Sequence, residues 1–377
     1  MVVFEDATGG PYYRIVIAGL DGIGRARTVF TGTVTEFEFP QPHPAYVVKG
    51  TVYFIDGFGT VFSMGVDGKP TVVTRFPIQD PGQRAVSFAV SPDGCQFAAT
   101  LLAQGFSGPD RPWVLQTMKA AAGGSAELLH TWTSPNPPSS TSPDGFKNLV
   151  LVGWDSLGPV AVAGSSTLQY ANSFDTLNYV ANPDFLVGEV VHLAGDGTAG
   201  AAAAPSTCKA AQVSPGGDIT CFEASSKDAW NLSVLRSTGG AVVGGVRIPV
   251  GIAHSPMGGI PCKVSFHPGA TFGPCTGAHI ATGPNGLIAA TWAGSELVDP
   301  NVSAAAPGST SGLWRGPDGG SGTLPAFFHP EGWIDAHTIF GQHTYGFFDA
   351  ALVRVGGAQS TLEDLQFVGN FVGALSA

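Results

Sequence analysis

Apolar residues in this chain fall into short runs rich in Val, Ile, Phe, Tyr and Ala, and each run soon meets a Gly, a Pro or an Asp. This pattern predicts many short strands joined by tight turns, because β-branched and aromatic side chains suit the pleated backbone while Gly and Pro interrupt it. Asp-Gly pairs begin at Asp21, Asp56, Asp67, Asp93, Asp144, Asp196 and Asp318. Both residues tolerate positive φ, so each pair reads as a hairpin or loop tip. None belongs to the Asp-x-Asp-x-Asp-Gly run that a calcium loop needs.

One unit recurs: an apolar strand, a four-residue turn, and a second strand rich in Ala, Phe and Val. Ser87–Val90 leads through Ser91-Pro92-Asp93-Gly94 into Cys95–Thr100, Ala210–Val213 through Ser214-Pro215-Gly216-Gly217 into Asp218–Ala224, and Ala278–Thr282 through Gly283-Pro284-Asn285-Gly286 into Leu287–Trp292. Looser copies begin Val152-Gly153-Trp154-Asp155 and Gly332-Trp333-Ile334-Asp335. Further strand-like stretches follow each, giving four antiparallel strands per unit. A lone four-stranded sheet cannot bury both faces, so the expected fold is all-β, a β-propeller whose blades stack around an axis. Blades are expected near 11–39, 45–77, 84–134, 147–198, 208–249, 262–325 and 327–375, seven in one domain spanning 1–377, with six as the alternative count. The tail Leu365–Leu375 holds a strand to spare, which allows the termini to share a blade. Ser134–Pro143, Gly195–Ser206 and Ser303–Gly322 are too rich in Pro, Gly or Ala to continue the pattern and are expected as surface loops.

Composition narrows the class. Charged residues are 12% of the 377, against about 25% in an average globular chain. The 44% hydrophobic content with 53 Gly and 29 Pro excludes disorder, long helical bundles and coiled coils. A net charge of -11 without any basic cluster argues against nucleic acid and anionic membrane as partners, since both need cations to displace counterions. No apolar run approaches the roughly 18 residues of a spanning helix, so direct membrane insertion is not expected. The opening Met1–Asp6 has neither the basic nor the apolar region of a signal peptide.

The Ser-Pro-Asp-Gly turn at 91–94 before an Ala/Phe strand, and the Gly-Trp-x-Asp start at 332–335, resemble the repeats of bacterial WD40-like, TolB-type (PD40-like) β-propeller proteins. The likeness is nearest to the Gly- and Ala-rich versions in actinobacterial exported proteins, which follow a membrane anchor. The repeats cover most of the chain; the first unit and 262–325 depart from the pattern. The resemblance implies an extracellular or cell-surface location, with the signal or anchor outside this chain, and recognition or scaffolding more often than catalysis. That step is analogy from fold.

Chemistry-bearing patterns are few. There is no Gly-x-Ser-x-Gly elbow, His-Glu-x-x-His pair or phosphate loop, and Gly19–Gly24 runs into a strand pattern, not a helix. Cys208, Cys221, Cys262 and Cys275 have no zinc or redox spacing and are the disulfide candidates for an exported chain, with three connectivities open. Cys95 reads as a buried apolar thiol. Six of the Trp residues read as core, while Trp314 with Arg315, in what reads as a loop, is the candidate ligand contact. His329, Asp335, His337 and His343 form the densest polar cluster; it is expected to be structural, with Asp335 buried and bonded by His337, and no metal or other cofactor is expected.

The expected function is therefore an exported, non-catalytic binding or scaffold propeller, a monomer that recognises a protein or glycan through loops at one face. The alternative is a propeller enzyme, a hydrolase or lyase with an axial active site. Thiol titration of the denatured, unreduced exported protein should find Cys95 alone free. Five titratable thiols would place the chain in a reducing compartment.

Overall fold

The computed structural model describes residues 2–6, 12–19, 27–33, 45–78, 83–103, 114–133, 148–164, 189–193, 199–202, 211–213, 218–226, 229–236, 242–249, 278–283, 286–292, 311–316, 320–325, 328–343, 349–356, 360–365 and 370–375. Among these residues the strands form seven four-stranded antiparallel sheets, and there is no α-helix. The first sheet holds β1 (Val2–Asp6), β2 (Tyr12–Ala18) and β3 (Arg27–Thr33). The second holds β4 (Ala45–Val48), β5 (Thr51–Ile55), β6 (Thr60–Met64) and β7 (Thr71–Arg75), and the third β8 (Gln83–Val90), β9 (Gln96–Ala103), β10 (Val114–Ala121) and β11 (Glu127–Thr133). The fourth is β12 (Asn148–Trp154), β13 (Pro159–Gly164), β14 (Glu189–Leu193) and β15 (Ala199–Ala202), and the fifth β16 (Ala211–Val213), β17 (Asp218–Ser226), β18 (Ala229–Arg236) and β19 (Val242–Pro249). The sixth is β20 (Ala278–Gly283), β21 (Leu287–Trp292), β22 (Ser311–Arg315) and β23 (Ser321–Thr323); the seventh is β24 (Phe328–Asp335), β25 (Thr338–His343), β26 (Asp349–Arg354) and β27 (Thr361–Asp364). Then β28 (Asn370–Ala374) returns to pair with β1, so the two ends of the chain complete one sheet.

In six of the sheets the first strand is the inner edge, and in the first sheet that place is taken by β28. β20 lies against β24, β24 against β28, β28 against β4, β4 against β8, β8 against β12 and β12 against β16, while β19 and β21 join the fifth and sixth sheets. Sheets packed face to face around an axis in this order are a β-propeller. Between the second and third sheets the core is Val48, Ile55, Val61, Phe76, Phe88, Phe97 and Met118. Between the sixth and seventh it is Ala289, Trp314, Phe328, Trp333, Ile339 and Val353.

The inner strands share a local device. On β8, β12, β24 and β28 one extra residue interrupts the register with the next strand: Val86, Val152, Glu331 and Val372 respectively. Such a bulge bends the strand and re-aims its side chains. The residue after each bulge is small, Ser87, Gly153, Gly332 or Gly373, and there the next inner strand comes closest. A Cβ on Gly153 would stand 2.5 Å from Val213 Cβ, one on Gly373 would stand 2.6 Å from Val47 Cβ, and one on Gly332 would run into the Phe371 ring. Ser87 uses its hydroxyl at the same point, accepting the Leu151 amide at 3.1 Å. At the closure the bulged Glu331 accepts the Phe371 amide through Oε2 at 2.7 Å.

Outer edges are covered by the neighbouring sheet's turn in two places. Gly123 N donates to Val73 O on β7 at 3.0 Å, and Ser360 Oγ donates to Thr323 O on β23 at 2.8 Å. Occupied edge groups are not free to pair with another chain.

Three expectations are corrected. The first unit begins at β1, before residue 11, and β28 belongs with it and not with the last unit. Ala199–Ala202, expected in a loop, is the edge strand β15, because Val191 and Leu193 of β14 offer it a ladder. Cys95 is exposed, since it closes the turn ahead of β9, whose buried run begins at Phe97.

Removing Gln366–Ala377 should lower the Tm of the whole domain, by stripping β28 from β1, β4 and β24; an unchanged Tm would show that closure is dispensable. Gly332→Val should cost about 1–3 kcal/mol by overpacking against Phe371. In urea titrations Phe371→Leu should recover part of that loss, and strictly additive costs would disprove the contact.

Candidate functional site: the end that carries the long connections

Four is an even number, so each sheet returns the chain to the end of the ring from which it set out. Connections between second and third strands, and those from one sheet to the next, therefore share one end; the other two kinds of turn share the opposite end. Every long connection leaves from the first of these ends: 34–44, 104–113, 134–147, 165–188, 250–277 and 293–310. At the opposite end none is longer than 19–26, between β2 and β3.

The short-turn end is built by carboxylates that bind backbone. Asp93 Oδ1 accepts Cys95 N at 2.9 Å, Asp155 Oδ1 accepts Leu157 N at 2.8 Å, and Asp335 Oδ1 accepts His337 N at 2.8 Å. Each is an Asp side chain closing its own turn two residues on. The Ser91 hydroxyl, at 2.5 Å, and then the Cys95 amide hold the Asp93 carboxyl below its ordinary 3.8. Burial raises the phenol of Tyr53, whose hydroxyl lies over Gly94, and that of Tyr46 on β4.

Asp155 does more than close a turn. Its side chain is 0% exposed, and Oδ2 lies 2.5 Å from His192 Nε2 on β14, while Oδ1 takes the amides of Leu157 and Gly158. Both carboxylate oxygens are thus occupied by the protein. No spacing in the sequence links the two residues; the register that sets Val160 opposite His192 does.

The expected polar cluster is split between the two ends. Asp335 and His337 are both exposed in the turn between β24 and β25, so Asp335 is not the buried partner expected, and it binds the backbone and not the imidazole. His343 lies at the far end of β25, roughly 17 Å away at about 3.3 Å per residue, with His329 nearby in the strand opposite Gln342. His343 Nδ1 is 3.0 Å from Oδ1 of Asp364, whose side chain is 50% exposed. That pair and Phe58, 49% exposed in the Asp56–Gly59 turn, stand at the long-connection end. Among the described residues no three His, Cys, Asp or Glu side chains gather as a metal site.

Trp314 is not a loop contact. It lies in β22, 7% exposed, opposite Gly322, where a Cβ would stand 2.7 Å from its indole nitrogen. The Gly-rich run suggested a loop because the glycines make room for the buried ring; Arg315 next to it is exposed and paired in register with Ile288 and Ser321. Of the disulfide candidates, Cys208, Cys262 and Cys275 lie outside the described residues, and Cys221 sits in β17 opposite Ala211.

The pairing of four-stranded sheets closed by β28 on β1 is that of a β-propeller. No family model and no curated protein matches the chain. Among solved structures it is similar to a periplasmic gluconolactonase of Pseudomonas aeruginosa, at 10% identity and TM-score 0.47, over 100% of this chain and 97% of that one. It is also similar to a TolB described for Agrobacterium tumefaciens, at 13% and 0.34, over 88% and 94%, and to the C-terminal WD40 domain of Sif2, at 12% and 0.37, over 86% and 72%.

Asp155→Ala should cost about 2–3 kcal/mol by orphaning two amides and His192, whereas His337→Ala should stay within about 0.5 kcal/mol because its side chain is exposed. Because the folded Asp93 pKa lies below the ordinary value, this carboxylate supports the fold above that value and the support is lost as pH falls through the folded pKa. Ser91→Ala should move the Asp93 midpoint upward in carboxyl ¹³C NMR; an unmoved midpoint would remove the hydroxyl as the cause.

Proposed function

We propose that this chain is an exported, non-catalytic binding or scaffold propeller that recognises a protein or glycan through the long-connection end. The observation that carries this reading is the asymmetry of the ring. One end is closed by short, carboxylate-bonded turns, and the other receives every long connection. Long connections on a rigid ring can vary without disturbing the strands that hold them, which is the usual division between scaffold and recognition surface. Their composition, poor in Lys and Arg, fits a partner that is not a polyanion.

The test compares two trimmed proteins with the wild type on an immobilised detergent extract of cell envelope and on immobilised peptidoglycan, after matched melting curves. Replacing 293–310 by a four-residue Gly/Asn turn should abolish retention, while shortening 355–360 at the opposite end should leave it unchanged. Retention lost only in the second protein would place recognition on the wrong end. Hydrolysis of gluconolactone by the wild type would favour the propeller-enzyme alternative.

A further inference from the structure

The face of the third sheet that meets the fourth carries one polar row. Ser87 stands opposite Thr100, Thr100 opposite Thr117 and Thr117 opposite His130, and directly opposed residues share a face of the sheet. The row begins at the inner strand, where Ser87 Oγ accepts Leu151 N from β12 and also bonds Thr100 Oγ1. Ser87, Thr100 and Thr117 are 3%, 0% and 0% exposed, and His130 reaches the partly exposed outer strand.

At Thr117 the row breaks. Its Oγ1 is buried with no hydrogen-bond partner, while the hydroxyls inward of it are bonded. A second irregularity lies at the same point: the register of β10 with β11 shifts between Thr117 and Met118, leaving Leu129 as an extra residue on β11. A bulge interrupts the ladder and leaves backbone groups of the extra residue unpaired. The neighbours along this face, Ala89 and Ala98, are small and fully buried. A buried hydroxyl without a partner is costly, and internal water, which makes two to four hydrogen bonds, is how proteins satisfy such groups.

We propose that Thr117 Oγ1 binds one internal water molecule in the seam between the third and fourth sheets. The water completes the row from the inner strand to the rim, carrying outward the polar line that begins where Ser87 accepts the Leu151 amide of the fourth sheet. Its ligands are the Thr117 hydroxyl and the backbone freed at Leu129.

Thr117→Val keeps the shape and removes the hydroxyl, and Thr117→Ser keeps the hydroxyl. If water is bound, Thr117→Val melts below wild type and loses one long-lived water in ¹⁷O relaxation dispersion, while Thr117→Ser retains it. A Thr117→Val protein that melts at or above the wild-type temperature with an unchanged number of long-lived waters would mean a dry seam and overturn the proposal. Should Thr117→Val not fold, a wild-type protein with no long-lived water overturns it equally.

Discussion

The close approach of the inner strands around the axis is the constraint on which the rest of the ring depends. Strands that lie edge to edge near an axis have less room than their partners farther out, and the chain makes that room with a bulge followed by Gly or Ser. Val86-Ser87, Val152-Gly153, Glu331-Gly332 and Val372-Gly373 are four instances of one solution. The bulge turns the strand and the small residue admits the neighbour, whether Val213, Phe371, Val47 or the Leu151 amide. Close packing is intolerant of an added methyl group here because interiors hold few voids to absorb it.

Closure follows the same rule by a different route. β28 comes from the far end of the chain, yet it carries the bulge and the glycine of any other inner strand and meets β24 and β4 as its equals. The Glu331 carboxylate adds a bond to the Phe371 amide. A charge-assisted bond to backbone is stronger than a neutral one, so it suits a junction that no covalent link secures.

The two ends of the ring are built differently for a reason of parity. An even number of strands in each sheet sends every connection of a given kind to the same end, and insertions in second-to-third and sheet-to-sheet links accumulate there. At the other end Asp93, Asp155 and Asp335 each spend a carboxylate on their own turn, which fixes short hairpins with few residues. Asp155 shows how far this can go, with His192 drawn in from a strand that lies beyond the connection 165–188.

Much of the fold was legible in the sequence because strand alternation and Asp-Gly turns are local signals. Ser91-Pro92-Asp93-Gly94 announces its hairpin, and the spare strand at the C-terminus announced that the termini could meet. The sequence alone thus determined an all-β chain of repeated four-stranded units. Contacts between units were decided only by tertiary structure. Nothing local told that Gly322 makes room for a buried Trp314, that Cys95 falls just ahead of the buried run, or that Asp335 and His343 part to opposite ends of one hairpin. The Asp155–His192 pair and the row through Thr117 depend on register across several strands, and register is a property of the assembled sheet: sliding one strand by a residue would turn its side chains to the other face.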